Sequence, residues 1–189
     1  MKIIVFGEIY EDSFASHISM TLVNMGHQVE NLSPIKARAT NNIISKSSIF
    51  RFISILNRQL VESTRLARKY FFKRLLKNIK IIDPQLIICC YDYLWSEEIR
   101  KIKDTSDTKI ILWYPDALSN FGRAHFMNSD YDYLFFKDPF IVKRLRLVID
   151  NKIFYLLECF NPLTHVESKG VDGKKFKCDI CSAGNMHSY

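Results

Sequence analysis

Two rhythms of apolar and polar residues alternate along this chain. Lys2–Phe6 (KIIVF) is a short, unbroken apolar run rich in β-branched residues, and it stops at Gly7. Such runs are typical of strands buried on both faces of a parallel sheet. The next apolar residues, Phe14, Ile18, Leu22 and Met25, recur at helical spacing; Asp12 or Ser13 can cap that helix, and Gly26 ends it. His27–Leu32 (HQVENL) then predicts a second strand. A βαβ unit therefore opens with the first residue.

The same succession continues. Leu86–Cys90 (LIICC) predicts a strand introduced by Asp83-Pro84, and Ser96–Lys103 a polar helix. Lys109–Tyr114 (KIILWY) predicts a strand closed by Pro115-Asp116. Tyr131–Phe136 (YDYLFF) predicts another, followed by a helix over Pro139–Ile149 with its proline in the first turn. Ile153–Leu157 (IFYLL) reads as a strand, and Cys178–Ser182 is a candidate for one more. Ser47–Lys80 predicts one kinked helix or two. Strands separated by helices in this way define an α/β protein: a Rossmann-like open, mostly parallel sheet with helices on both faces. That domain is expected over residues 1–160, with a polar, glycine-containing linker over Asn161–Lys177 and the start of a second domain over 178–189.

Composition narrows the class. A hydrophobic fraction of 48% with only six glycines and five prolines excludes a disordered chain. No stretch approaches the roughly 18 apolar residues a membrane span needs. The apolar run at the N-terminus is too short for a signal peptide and turns acidic at Glu8. A cytoplasmic location is therefore expected, with the five cysteines as reduced thiols.

The formal net charge of +7 suits nucleic acid, anionic lipid, a phosphorylated substrate or plain solubility, so its placement matters more than its total. On one continuous helix Arg51, Arg58, Arg65, Lys69, Lys73 and Lys80 form a narrow stripe. Ile49, Ile53, Leu56, Leu60, Ala67 and Phe71 fall opposite, while Phe72 and Leu76 land among the cations. Such a helix can lie peripherally on an anionic membrane, bind a phosphate-bearing acceptor, or present a solvated face beside the core. No nucleic-acid-binding motif accompanies the stripe, and nucleic acid is not an expected partner.

In an open parallel sheet, ligands collect beyond the carboxyl ends of the strands. Four loops reach that edge: Gly7-Glu8-Ile9-Tyr10, Tyr91-Asp92-Tyr93, Pro115-Asp116 after Trp113-Tyr114, and Lys137-Asp138. Carboxylates with aromatic rings suit sugars, because the carboxylate accepts hydroxyl hydrogen bonds while the ring covers the apolar C–H face. The plainer alternative in each loop is that Asp and Glu favour strand ends and helix caps. The first turn, GEIYEDS, lacks the G-x-G-x-x-G spacing that admits a pyrophosphate, and no P-loop occurs, so no cofactor is expected. Cys178 and Cys181 have no second C-x-x-C, and His165 and His187 match no zinc spacing, so no metal is expected. Cys89 and Cys90, inside an apolar strand, read as core.

The opening, with Gly7, Ser13-Phe14-Ala15, His17-Ile18 and Gly26-His27-Gln28-Val29, resembles the start of GT-B glycosyltransferases. Further on come Trp113-Tyr114-Pro115-Asp116, Tyr131-Asp132-Tyr133-Leu134-Phe135, Tyr155-Leu156-Leu157-Glu158, and Asn161-Pro162 with His165. Their order resembles that in CgeB-like (spore-maturation-type) glycosyltransferases, and Cys178–Asn185 looks like the strand that opens the second domain of that family. Two departures stand out: Val166 replaces a proline usual near the histidine, and Ser182-Ala183 replaces bulkier residues. The resemblance spans nearly the whole chain except Ile35–Lys80.

What the resemblance implies is transfer of a sugar from a nucleotide-sugar donor to an acceptor hydroxyl on a glycan, lipid or protein. This stretch would be the acceptor-side half, inactive without the donor-binding half. An inverting reaction needs a general base, for which Asp116 is the first candidate and His17 and Asp92 the reserves. A retaining reaction needs none, and a helix cap is the other reading of Asp116. Substrate contacts are expected from Gly7, Glu8, His17, Tyr91, Asp92, Trp113, Lys137, Asp138 and His165. A non-catalytic module that docks on anionic lipid or a protein partner is the alternative.

Overall fold

The computed structural model describes residues 1–10, 12–34, 64–116, 125–149, 152–158 and 161–164. The chain divides into two compact units, Met1–Cys159 and Phe160–Tyr189. In the first unit the elements follow the order β1 (Lys2–Phe6), α1 (Phe14–Asn24), β2 (Gln28–Leu32), α2 (Arg65–Ile82), β3 (Leu86–Cys90) and α3 (Ser96–Lys103). Then come β4 (Lys109–Tyr114), a 3-10 turn at His125–Asn128, β5 (Tyr133–Phe136), α4 (Pro139–Leu145) and β6 (Ile153–Tyr155). In the second unit, Asn161 closes a turn by accepting from the N–H of Leu163 on its side chain (3.0 Å) and of Thr164 on its carbonyl (3.1 Å). Residues 165–189, and with them His165, Cys178 and Cys181, lie outside the described residues, as do Arg51 and Arg58.

All six strands are parallel and join in one sheet in the order β2-β1-β3-β4-β5-β6. This is a Rossmann-like open α/β sheet. Alternate residues of each strand face opposite layers. Ile4, Phe6, Ile87, Cys89, Leu112 and Phe136 face the larger core, which α2, α3 and α4 cover with Phe72, Leu75, Ile99, Ile102 and Val142. Ile3, Val5, Ile88 and Cys90 face the smaller core beneath Ala15 and Ile18 of α1.

Local chemistry sets the element ends. Ser13, not Asp12, caps α1: its Oγ accepts from Ser16 N at 3.1 Å. Helix α1 ends where Gly26 adopts φ +84°, with His27 N–H donating to Leu22 O (3.0 Å) and Gly26 N–H to Val23 O (2.9 Å), a Schellman arrangement. Strand β5 starts two residues later than the apolar run. Tyr131 turns into the core, and the Asp132 side chain takes the Ile110 N–H at 2.8 Å that a strand carbonyl would otherwise accept.

Helix α2 differs most from expectation. Its buried residues are Arg68, Phe71, Phe72, Leu75 and Ile79, so Phe72 belongs to the core instead of the cationic face. Arg65, Lys69, Lys73 and Lys80 are exposed, as the helical spacing implies. Arg68 is the cation that turns inward. Its Nε donates to Glu98 Oε1 at 2.7 Å, its Nη2 donates to Glu98 Oε2, and Nη2 also reaches Tyr93 O at 2.7 Å. This pair fastens α2 to α3 and to the loop after β3.

Candidate functional site

The strand order reverses direction between β1 and β3. From β1 the chain winds outward to β2; from β3 it winds the other way through β4, β5 and β6. Ligands of open α/β sheets bind at such a switch point, outside the carboxyl ends of the strands. A recess of about 100 Å³ opens there, lined by Glu8 and Tyr10 after β1, Ser13, Phe14 and Ala15 at the start of α1, and Cys90, Tyr91 and Tyr93 at the end of β3. Pockets for drug-sized ligands run to roughly 300–1,000 Å³, so this recess holds one ring or one end of a ligand.

Gly7 makes the close approach of these elements possible. A Cβ there would stand 2.8 Å from Ala15 Cβ and 3.0 Å from Cys90 Cβ, with no flexible atom to yield. The loop after it is held by two serines. Ser13 Oγ accepts from Tyr10 N at 3.2 Å, and Ser16 Oγ donates to Tyr10 O at 2.7 Å. The β3 exit is strained. Tyr91 sits at φ +84°, a region that a bulky residue adopts at a cost of about 1–3 kcal/mol. Strain of this kind gathers at functional sites, and here it places the Tyr91 ring edge-on to Tyr114 (centroids 5.4 Å) and tilted toward Tyr93 (5.9 Å).

The electrostatics are those of neutral phenols under the influence of carboxylates. Burial pushes the Tyr91 phenol well up, and the charges of Asp116 and Glu158 push it further, with Tyr10 and Tyr114 also acting on it. Burial, then Asp116 and Asp92, push Tyr114 up to about 12. Both hydroxyls therefore stay protonated at neutral pH and can donate, while the carboxylates accept. Asp116 comes from the exit of β4 and Glu158 from beyond β6, so charges on two further loops act on this phenol. Such a set matches a ligand whose groups both donate and accept, as sugar hydroxyls do. No group of three or more His, Cys, Asp or Glu among the described residues is placed to hold a metal ion.

The other residues singled out from the sequence have varied surroundings. His17 Nε2 lies 2.7 Å from Asp12 Oδ1, outside the recess lining. Asp92 is buried and accepts from Phe126 N at 3.1 Å, which fixes the 3-10 turn. Trp113 packs edge-on against Phe14 (centroids 5.0 Å, planes at 86°), so it backs the recess wall. Lys137 Nζ lies 3.0 Å from Glu158 Oε1. Asp138 caps α4 by accepting from Phe140 N (2.8 Å) and Ile141 N (3.3 Å). Of the expected contacts, Glu8 and Tyr91 line the recess, Gly7 shapes it, and the charge of Asp116 acts on the Tyr91 phenol.

Tyr10, Tyr93, Tyr114 and Glu158 join this group although the sequence alone did not single them out as site residues. Tyr10 and Tyr93 do lie in two of the four loops, and the signal was the tyrosine repeated in each. Glu158 closes the Tyr155–Glu158 motif, but that motif gives it no site role; it comes near the group through the sheet order.

No protein-family model, characterised protein or solved structure matches this chain.

Proposed function

We propose that this chain is the acceptor-side α/β domain of a glycosyltransferase and that the recess between β1 and β3 receives a sugar-like acceptor. The observation that carries the reading is the position and lining of that recess: a switch-point cavity walled by Glu8, Tyr10, Tyr91 and Tyr93, with Asp116 and Glu158 acting on the Tyr91 phenol. The ordered resemblance to CgeB-like glycosyltransferases supports the same reading. A nucleotide sugar would be the donor.

Asp116 takes the part of general base in an inverting transfer. Its carboxylate accepts the proton of the acceptor hydroxyl as that oxygen bonds to C1 of the donor sugar, and the C1–O bond to the nucleoside diphosphate breaks. Tyr91 positions the acceptor as a neutral donor. Two measurements test this. Saturation-transfer NMR against a panel of mono- and disaccharides should show millimolar or tighter binding that Tyr91→Ala weakens about tenfold or more. With a donor-binding half joined to this domain, an assay of nucleoside diphosphate release should show Asp116→Asn lowering turnover roughly a hundredfold or more. Absence of saccharide binding, or turnover unchanged by Asp116→Asn, would overturn the reading.

A further inference from the structure

The charge of this protein is concentrated to an unusual degree. The net +7 arises from 27 Lys and Arg against 20 Asp and Glu. Helix α2 alone holds seven of those cations and no carboxylate, so the rest of the chain carries 20 of each and is neutral. One of the seven, Arg68, is spent on Glu98 inside the fold. Arg65, Lys69, Lys73, Lys77 and Lys80 are exposed, and among the described residues none of them forms an ion pair.

The same face carries large apolar side chains in water. Leu66 is 82% exposed, Tyr70 71% and Ile81 69%. Leu66, Tyr70, Lys73, Lys77 and Ile81 follow one another three or four residues apart, so they run along one line of the helix surface. The line extends for most of an 18-residue helix that is about 27 Å long. The opposite side of α2 is fixed in the core by Phe72, Leu75 and Ile79, so this line cannot turn inward. The N-terminal turn of α2 is also the end nearest the recess, since Arg68 donates to the carbonyl of Tyr93 in its lining.

We infer that the outer face of α2 docks this protein on an anionic lipid bilayer. The cations pair with acidic headgroups, and Leu66, Tyr70 and Ile81 sink to the boundary of the acyl chains. A phosphate-rich polymer such as RNA would satisfy the lysines but leave Leu66 and Ile81 in water, which is why the bilayer is the better fit. The inference stands apart from the sugar site: it concerns where the protein rests, and it fails or holds whether or not a sugar binds.

The test is co-sedimentation of the whole protein with vesicles of phosphatidylcholine alone and of phosphatidylcholine mixed with phosphatidylserine. The protein should pellet with the mixed vesicles at low salt, be released as salt rises, and ignore neutral vesicles. Lys69→Gln with Lys73→Gln and Lys77→Gln should lower the partition on the order of a hundredfold, each cation contributing about fivefold. Leu66→Ser with Ile81→Ser should lower it roughly tenfold through lost apolar burial. All five positions are exposed, so circular dichroism should show both variants folded; the wild-type salt and lipid dependence needs no variant at all. Equal partition into neutral and anionic vesicles would overturn the inference. So would a serine pair without effect combined with equal binding to a duplex RNA, which would mark a general polyanion surface.

Discussion

Replacing Arg68 by methionine keeps the length and apolar stem of the side chain and removes its charge. In the native protein the guanidinium lies between the Phe71 and Trp95 rings, 5.1 and 4.9 Å from their centroids, and both it and Glu98 are 5% exposed. Without it, Glu98 keeps the Trp95 N–H at 2.9 Å but loses its counter-ion, and the Arg68 hydrogen bond to Tyr93 O is lost. Breaking one partner of a buried pair costs about 3–5 kcal/mol, because the other charge is left uncompensated. In a chain of this size that loss lowers Tm by on the order of 10 °C. Replacing both partners, Arg68→Met with Glu98→Leu, removes the stranded charge, and most of the stability should return. Urea unfolding followed by circular dichroism measures both variants and the double mutant at constant m. An Arg68→Met loss below about 1 kcal/mol, the range of an exposed pair, would refute the reasoning. A double mutant as unstable as the two single losses added would refute it equally.

Three further outcomes are expected. Gly7→Ala should destabilise by about 1–3 kcal/mol in the same urea assay, since its Cβ meets those of Ala15 and Cys90 at 2.8 and 3.0 Å. At Asp132, burial raises the carboxyl, but the Ile110 N–H and the ammoniums of Lys103 and Lys109 outweigh it and hold its pKa below the ordinary 3.8. Its stabilisation is therefore present above 3.8 and is lost as pH falls through the lower folded value; Asp132→Asn should remove that part of the acid dependence of unfolding. Burial pushes both core thiols up, Cys90 to about 12. Peptide mapping after iodoacetamide at mildly alkaline pH should find Cys89 and Cys90 labelled only once urea unfolds the protein.

The strands were legible because two-sided burial writes itself as unbroken apolar runs. Lys2–Phe6, Leu86–Cys90 and Lys109–Tyr114 begin and end where the pattern places them. The sheet order was not legible: no local signal says that β3 docks beside β1, yet this neighbourhood creates the switch point. The phase of α2 is not legible from one helical period run through Ser47–Lys80, because over Arg65–Ile82 alone the buried residues centre on Leu75. The inward Arg68 finds its partner 30 residues away on α3, beyond the reach of any periodicity. At the site, the loops were identifiable but the division of labour was not. Asp92 and Asp138 have the same chemistry as Asp116, and only the fold shows that the first holds a turn, the second caps α4 and the third acts on Tyr91 through its charge.

The most direct test of the central claim is where a sugar touches the protein. Amide chemical-shift mapping of the labelled protein, titrated with the tightest-binding saccharide of the panel, reads this out residue by residue. The expected result is a set of shifts confined to Glu8, Tyr10, Ser13, Tyr91 and Tyr93 and extending to Asp116 and Glu158. Shifts gathered elsewhere, for example along α4 and β6, or none at saturating saccharide, would contradict sugar recognition at the switch point.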